Sequence, residues 1–163
     1  MKAAGEAPKA TEAPKATQKP AASAASLTYK FTELKEIGNW EVTPKAANGA
    51  LELGFNQQYN EIHLQFPKPV DLSAYTKAVI TFATASDNVE KDAICFKFAE
   101  VGAAKNEYGN PVTIKEEENL VTSGKGKVEI SLDGFSGKKL DEISVMCRYG
   151  KTNATVYDIT FVK

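Results

Sequence analysis

Four polar residues spaced two apart, Tyr59, Glu61, His63 and Gln65, carry the most chemistry in this chain. They lie in QQYNEIHLQF (57–66), interleaved with Asn60, Ile62, Leu64 and Phe66. A period of two is that of a β-strand with one dry face and one wet face. A wet face made of an aromatic ring, a carboxylate, an imidazole and an amide can stack on a sugar ring and hydrogen-bond its hydroxyls. The same row on an ordinary sheet face is only solvated, and a bulge that flipped the register would bury it. Its meaning therefore depends on what the rest of the chain places beside it.

Other side chains could join that row. Trp40 is the only tryptophan and follows Gly38-Asn39, read here as a break that leaves it in a loop. It is either a stacking platform or a plug between sheets. Arg148 is the only arginine, and its parity is opposite to that of Ile143 and Val145. It then points out of the core, where a planar fork of donors suits hydroxyls. Lys97 is outward in ICFKF and is an alternative donor, and Tyr108 in EYGNP can wall a cleft. Tyr149 shares the inward parity of Val145 and belongs to the core or rim.

Catalysis finds less support. Glycoside hydrolysis needs two carboxylates facing each other, about 5–10 Å apart. Glu61 is one, and its neighbours on the strand supply no second. No GxSxG, HExxH or CxxC spacing occurs. Cys95 and Cys147 have opposite parities relative to their core neighbours, which argues against a bridge. With one histidine they do not make a zinc site. A net charge of -1 provides no basic field, so nucleic acid and anionic membrane are not expected partners. No apolar run approaches the roughly 18 residues that span a bilayer.

The elements that position these residues are short strands. LTYKFTELKEI (27–37, alternating at its start), GALELGF (49–55), KAVITFATA (77–85), AICFKFA (93–99), KVEISL (127–132), DEISVMCRY (141–149) and ATVYDITFV (154–162) read as strands, bounded by turn residues. Phe31, Phe82, Phe96, Phe98 and Phe161 fall on the inward parity. PKPVDLSAY (67–75) reads as a turn with apolar plugs at Leu72 and Tyr75, and 100–126 as a long loop region with a short strand at 111–114. No apolar pattern of three and four persists over a dozen positions. The fold class is all-β: an antiparallel β-sandwich of about eight to ten strands in two sheets, without a substantial helix. Ahead of it, EAPKAT at 6–11 repeats at 12–17, and no large apolar residue intervenes between Met1 and Leu27. Such a stretch cannot offset its ordering entropy. Residues 1–26 are therefore expected to be a disordered linker, and 27–163 a module of a larger protein. The opening MKAAGEAPKA has no apolar h-region, so no signal peptide is expected in it.

Several segments together carry a resemblance: the early strand followed by GNW, then QYNEIHLQFPKPVDLSAYTKAVITFATAS, ICFKF, GKVEISLDGFSG, ISVMCRY and VYDITFVK. In order and spacing the chain resembles the β-jelly-roll carbohydrate-binding modules of bacterial plant-cell-wall hydrolases, and most of all the xylan-binding modules of the family-22 type and relatives. The resemblance covers most of 27–163. It implies a jelly roll whose concave sheet binds one β-glycan chain, with Trp40, Tyr59, Glu61, His63, Gln65, Arg148, Tyr108 and Lys97 as candidate contacts. The ligand it implies is xylan, with mixed-linkage glucan, mannan and cello-oligosaccharide as alternatives. It further implies a monomeric, non-catalytic module, tethered to a glycoside hydrolase and located extracellularly. A structural calcium between an early strand and the last one is common in such modules, and Glu33, Glu36 and Asp158 are the matching carboxylates. A structural or adhesive β-sandwich would share the linker and strands, but would have no reason to line a face with Tyr, Glu, His and Gln.

Overall fold

Alternating sequences bury one face only when a second sheet covers it, and that is the arrangement found. The computed structural model describes residues 26–84, 94–119 and 124–163. The expected linker, apart from Ser26, lies outside the described residues, as does the acidic segment 86–92. Eleven strands occur among the described residues: β1 (Leu27–Lys30), β2 (Lys35–Trp40), β3 (Val42–Ala47), β4 (Ala50–Phe55), β5 (Glu61–Asp71), β6 (Lys77–Thr84), β7 (Ile94–Glu100), β8 (Lys115–Asn119), β9 (Gly124–Ser131), β10 (Lys139–Cys147) and β11 (Thr152–Val162). Among the described residues the helical content is two short 3-10 turns, at Phe31–Glu33 and Leu72–Ala74.

The strands form two antiparallel sheets, as expected for the sandwich. One runs β3-β4-β11-β6-β9, with β1 paired to β11, and the other runs β2-β5-β10-β7-β8. Consecutive strands cross repeatedly between the sheets, so most neighbours are distant in sequence. All five phenylalanines assigned to the interior are fully buried. Phe82 of β6 meets Phe96 of β7 edge to face at 5.1 Å, joining the two sheets across the core. Tyr29 of β1 does the same with Phe66 of β5 at 5.3 Å. Cys147 packs inward, its thiol donating to the carbonyl of Gly150, and burial pushes its pKa up. Cys95 lies in register with Met146 on the other face of its sheet. The two cysteines are not bridged.

Several boundaries differ from the sequence reading. Gly38-Asn39 does not break the chain. β2 runs through it, with a bulge between Glu36 and Gly38 that absorbs an extra residue. β5 continues through Pro67 and Pro69 to Asp71. The prolines are tolerated because β2 pairs no further than Gln65 and the β10 register passes from Gln65 to Val70, leaving 66–69 without ladder partners in either register. The charged KEEEN segment is not loop but edge strand β8, paired to β7. Residues 111–114 are not a strand; a single bridge joins Lys105 to Pro111.

The Phe82–Phe96 contact makes a test of the sandwich. Phe82→Ala should lower unfolding free energy by about 3–5 kcal/mol, measured by chemical denaturation. A cycle with Phe96→Ala should show coupling of about 0.5–1.5 kcal/mol, the value typical of an aromatic pair. Strict additivity would mean the two rings do not meet.

Candidate functional site

The outer face of the β2-β5-β10-β7-β8 sheet is organised in rows, because residues paired across antiparallel strands share a face. One row is Trp40, Glu61, Met146 and Cys95, from β2 to β7. The next is Gly38, His63, Ser144 and Lys97. A third brings Gln65 beside Glu142. The expected parity of Glu61, His63, Gln65 and Lys97 therefore holds, and they converge on one area.

That face is not open water. Glu61 accepts from Lys97 Nζ, at 3.0 Å to Oε1 and 3.1 Å to Oε2. His63 Nε2 stands 3.8 Å from Glu61 Oε1, and its Nδ1 lies 2.5 Å from Glu142 Oε1. The result is a chain, Lys97–Glu61–His63–Glu142, whose side chains are each at most 15% exposed. Small residues make it possible. Ser144 lies in register between His63 and Lys97, so the long side chains of β5 and β7 can meet over β10. Gly38 lies beside His63, and a Cβ there would come within 3.3 Å of the ring. Gln65 donates to Asp141 at 3.2 Å. Asp141 sits in the bulge between Leu140 and Glu142.

A hairpin covers this floor. Residues 101–114 leave β7 and fold back, held by Val112 N–H to the Ala104 carbonyl at 2.7 Å and Asn106 N–H to the Asn110 carbonyl at 2.8 Å. The Asn106 side chain accepts from the Tyr108 and Asn110 amides and closes the tip. Between hairpin and sheet lies a cavity of about 330 Å³, lined by Glu61, His63, Lys97 and Ser144 below and by Asn106, Asn110, Val112 and Thr113 opposite. A smaller one of about 100 Å³ lies on the other side of His63, against Gly38, Glu142 and Lys105.

The remaining candidates fall around the rim. Trp40 is on β2, not in a loop, and is 56% exposed, which removes the core-plug reading. Tyr59 is not on the strand. It occupies a turn at φ +66°, its N–H bonded to the Cys147 carbonyl, and it is 52% exposed. The strand begins only at Glu61, because the Asn60 side chain accepts from the Asn56 and Gln57 amides and holds the turn. Arg148 follows β10, its guanidinium carbon 5.7 Å from the Tyr149 ring centroid, and Tyr149 is exposed on the rim. Tyr108 stands at the hairpin tip and is 77% exposed, away from the cavity lining. The proposed calcium ligands are separate. Glu33 accepts from the Lys30 amide and Glu36 from the Asn39 side chain, while Asp158 pairs in register with Lys30 and Thr81. No three His, Cys, Asp or Glu side chains gather as metal ligands among the described residues. As placed, these carboxylates do not form a calcium cage.

Sequence reasoning missed Glu142, Asp141 and Ser144. It also took Glu61 to lack an acidic neighbour, whereas Glu142 reaches the same imidazole from the adjacent strand. The bulge between Leu140 and Glu142 hides Asp141 from a period-two reading, whereas Glu142 shares the outward parity of Ser144 and Met146 and could have been found by it.

No family model matches the sequence, and no curated protein does. Solved structures share its architecture. One is a low-affinity xylan-binding module, CBM86, from the xylanolytic gut symbiont Roseburia intestinalis. It aligns with a TM-score of 0.58 and 20% identity, over 84% of this chain and 94% of that one. CBM29_1 from Piromyces equi aligns with a TM-score of 0.53 and 11% identity, over 85% and 92%. A CBM29-2 mutant complexed with cellulohexaose gives 0.54 and 9%, over 83% and 90%. The chain thus has the fold of β-jelly-roll carbohydrate-binding modules, as its resemblance implied.

The floor can be tested without a ligand. Glu61→Leu leaves Lys97 without its counter-charge and should cost about 3 kcal/mol of stability in urea. Adding Lys97→Met should restore most of that. A single variant as stable as the parent would show that the pair is not held as described.

Proposed function

We propose that this chain is a non-catalytic module that binds one β-glycan chain, foremost xylan or its oligosaccharides, in the cleft between the 101–114 hairpin and the outer face of the β2-β5-β10-β7-β8 sheet. The reading rests on one observation. A polar cavity of about 330 Å³ is lined by Glu61, the exposed ring of Trp40 stands in register with Glu61 on the same face, and the exposed Tyr59 lies two residues ahead of it. Flat rings together with a cavity lined with amide, hydroxyl and carboxylate groups suit a neutral ligand that is apolar on its faces and hydroxylated on its edges. The structural neighbours support the choice of glycan, since one is a xylan-binding module and another is complexed with cellulohexaose.

Roles divide by burial. Trp40 and Tyr59 supply stacking, each burying ring area worth about 25 cal/mol per Å². Ser144, Asn106, Asn110 and Thr113 offer hydroxyl partners at the cavity, and Glu61 keeps lone pairs beyond those Lys97 uses. Hydroxyl bonds exchange with water and contribute about 1 kcal/mol each. Two stacks and a few such bonds, less association entropy, give a Kd of about 10 μM to 1 mM. Tethering to a hydrolase in an extracellular parent protein makes so weak a binder useful, because it raises the enzyme's local concentration at the polymer. Glu61 and Glu142 lie on one floor, joined through one imidazole, rather than on facing walls with a substrate between them. No reaction is assigned to them.

Affinity electrophoresis in soluble xylan, β-glucan and mannan tests the proposal. Xylan should retard the protein, and Trp40→Ala and Tyr59→Ala should each weaken retardation about tenfold or more, the scale of one lost stack. Because both rings are exposed, melting should be unchanged in either variant. Migration unaffected by every glycan would end the glycan reading.

A further inference from the structure

We infer that the 101–114 hairpin makes the cleft selective for glycan segments whose rings carry no branch on the edge facing His63. This rests on the glycan-binding reading and specifies its substrate class. The two cavities over the sheet share three lining residues, His63, Asn110 and Pro111. They form a septum, with the imidazole rising from the floor and the Asn110-Pro111 corner descending from the hairpin. On one side is the space of about 330 Å³ beside Glu61, Lys97 and Ser144. On the other is about 100 Å³, bounded by Ile37 and Gly38 of β2, Glu142 and the hairpin residues Lys105 and Gly109. At about 30 Å³ per water, the smaller space holds roughly three waters and no second sugar ring.

The septum is rigid from both sides. His63 is fixed by carboxylates near both ring nitrogens and by the backbone at Gly38. Pro111 has a fixed φ, and Asn110 is tied to Asn106 through both backbone and side chain. A ring seated over Glu61 and Ser144 therefore presents one edge to a wall that has no rotamer to give. A hydroxyl fits there, whereas a pendant sugar does not. Gly109 of the hairpin tip and Ile37 and Gly38 of β2 line the smaller space together, so the hairpin stands over the floor as far as the β2 side of His63.

The test compares linear xylohexaose with its arabinosyl- and glucuronyl-substituted counterparts by titration calorimetry, using the full chain. Two variants accompany the parent: Pro111→Gly, and one in which 105–111 is replaced by Asn-Gly, keeping the Ala104–Val112 closure. The parent should bind the substituted oligosaccharides about tenfold or more weakly than the linear one. In the shortened variant the three should fall within about twofold of one another. Pro111→Gly should lie between, and it carries the test if the shortened chain fails to fold by circular dichroism. Equal affinity of the parent for linear and substituted ligands would overturn the inference and leave the glycan reading standing. So would discrimination that survives in both variants. A parent that binds none of the oligosaccharides would remove the glycan reading itself, and this inference with it.

Discussion

The ion pair between Glu61 and Lys97 bridges two strands that are not neighbours. β10 lies between them, and only because Ser144 is small can the side chains of β5 and β7 close over it. Once closed, the pair sets the next contacts. Glu61 faces one nitrogen of His63, Glu142 takes the other, and the imidazole is pinned upright against Gly38. The height of the cleft floor, the position of the septum and the space left beneath the hairpin all follow from that closure.

Such a network is a poor source of stability. Removing charges from water costs several kcal/mol per ion, and their mutual attraction roughly returns that cost only when geometry is good. An apolar row in the same positions would hold β5, β10 and β7 together at least as well. What the charges add is definition. A row of leucines could repack in several ways and would close the cavity, whereas acceptor-only carboxylates and a donor-only ammonium leave few arrangements in which each is satisfied. The core on the opposite face carries the stability, through fully buried phenylalanines that cross between the sheets. The two faces of one sheet thus do different work, and the period of two keeps them apart.

That separation explains what was legible in the sequence. The interior strands and every assigned phenylalanine could be read, since each buries one face and the pattern shows it. The faces of Glu61, His63, Gln65 and Lys97 could be read for the same reason. The edge strands β2 and β8 were not legible, whereas β9, also at an edge, was. β2 and β8 carry Gly, Asn or consecutive charges because one side meets no partner, and such residues resemble loop. Bulges were not legible either. The irregularity after Leu140 puts Asp141 out of the alternation, and the one after Glu36 lies in a strand that runs on to Trp40. Tyr59 had the right parity for the wrong reason: it reaches the rim from a turn, at a positive φ that period-two counting cannot detect. Residues 100–126 could be read as a loop region, but local sequence does not say that 101–114 is a hairpin or over which part of the sheet it lies.

The division between buried charge and exposed ring also decides where binding energy can arise. Glu61, His63 and Lys97 already have partners, so a ligand hydroxyl arriving there replaces water rather than relieving an unsatisfied group, and gains about 1 kcal/mol at most. In the proposed binding mode the exposed rings of Trp40 and Tyr59 are the groups that would lose solvent on contact, so affinity would reside with them. Selectivity would reside elsewhere. A fixed wall costs a mismatched ligand its whole binding mode while adding little for a matched one, which is how a weak site can still be a discriminating one. In the inferred selectivity the wall would be the pair of His63 and Pro111, and the His63 side of it stands next to Glu61, which Lys97 holds across β10.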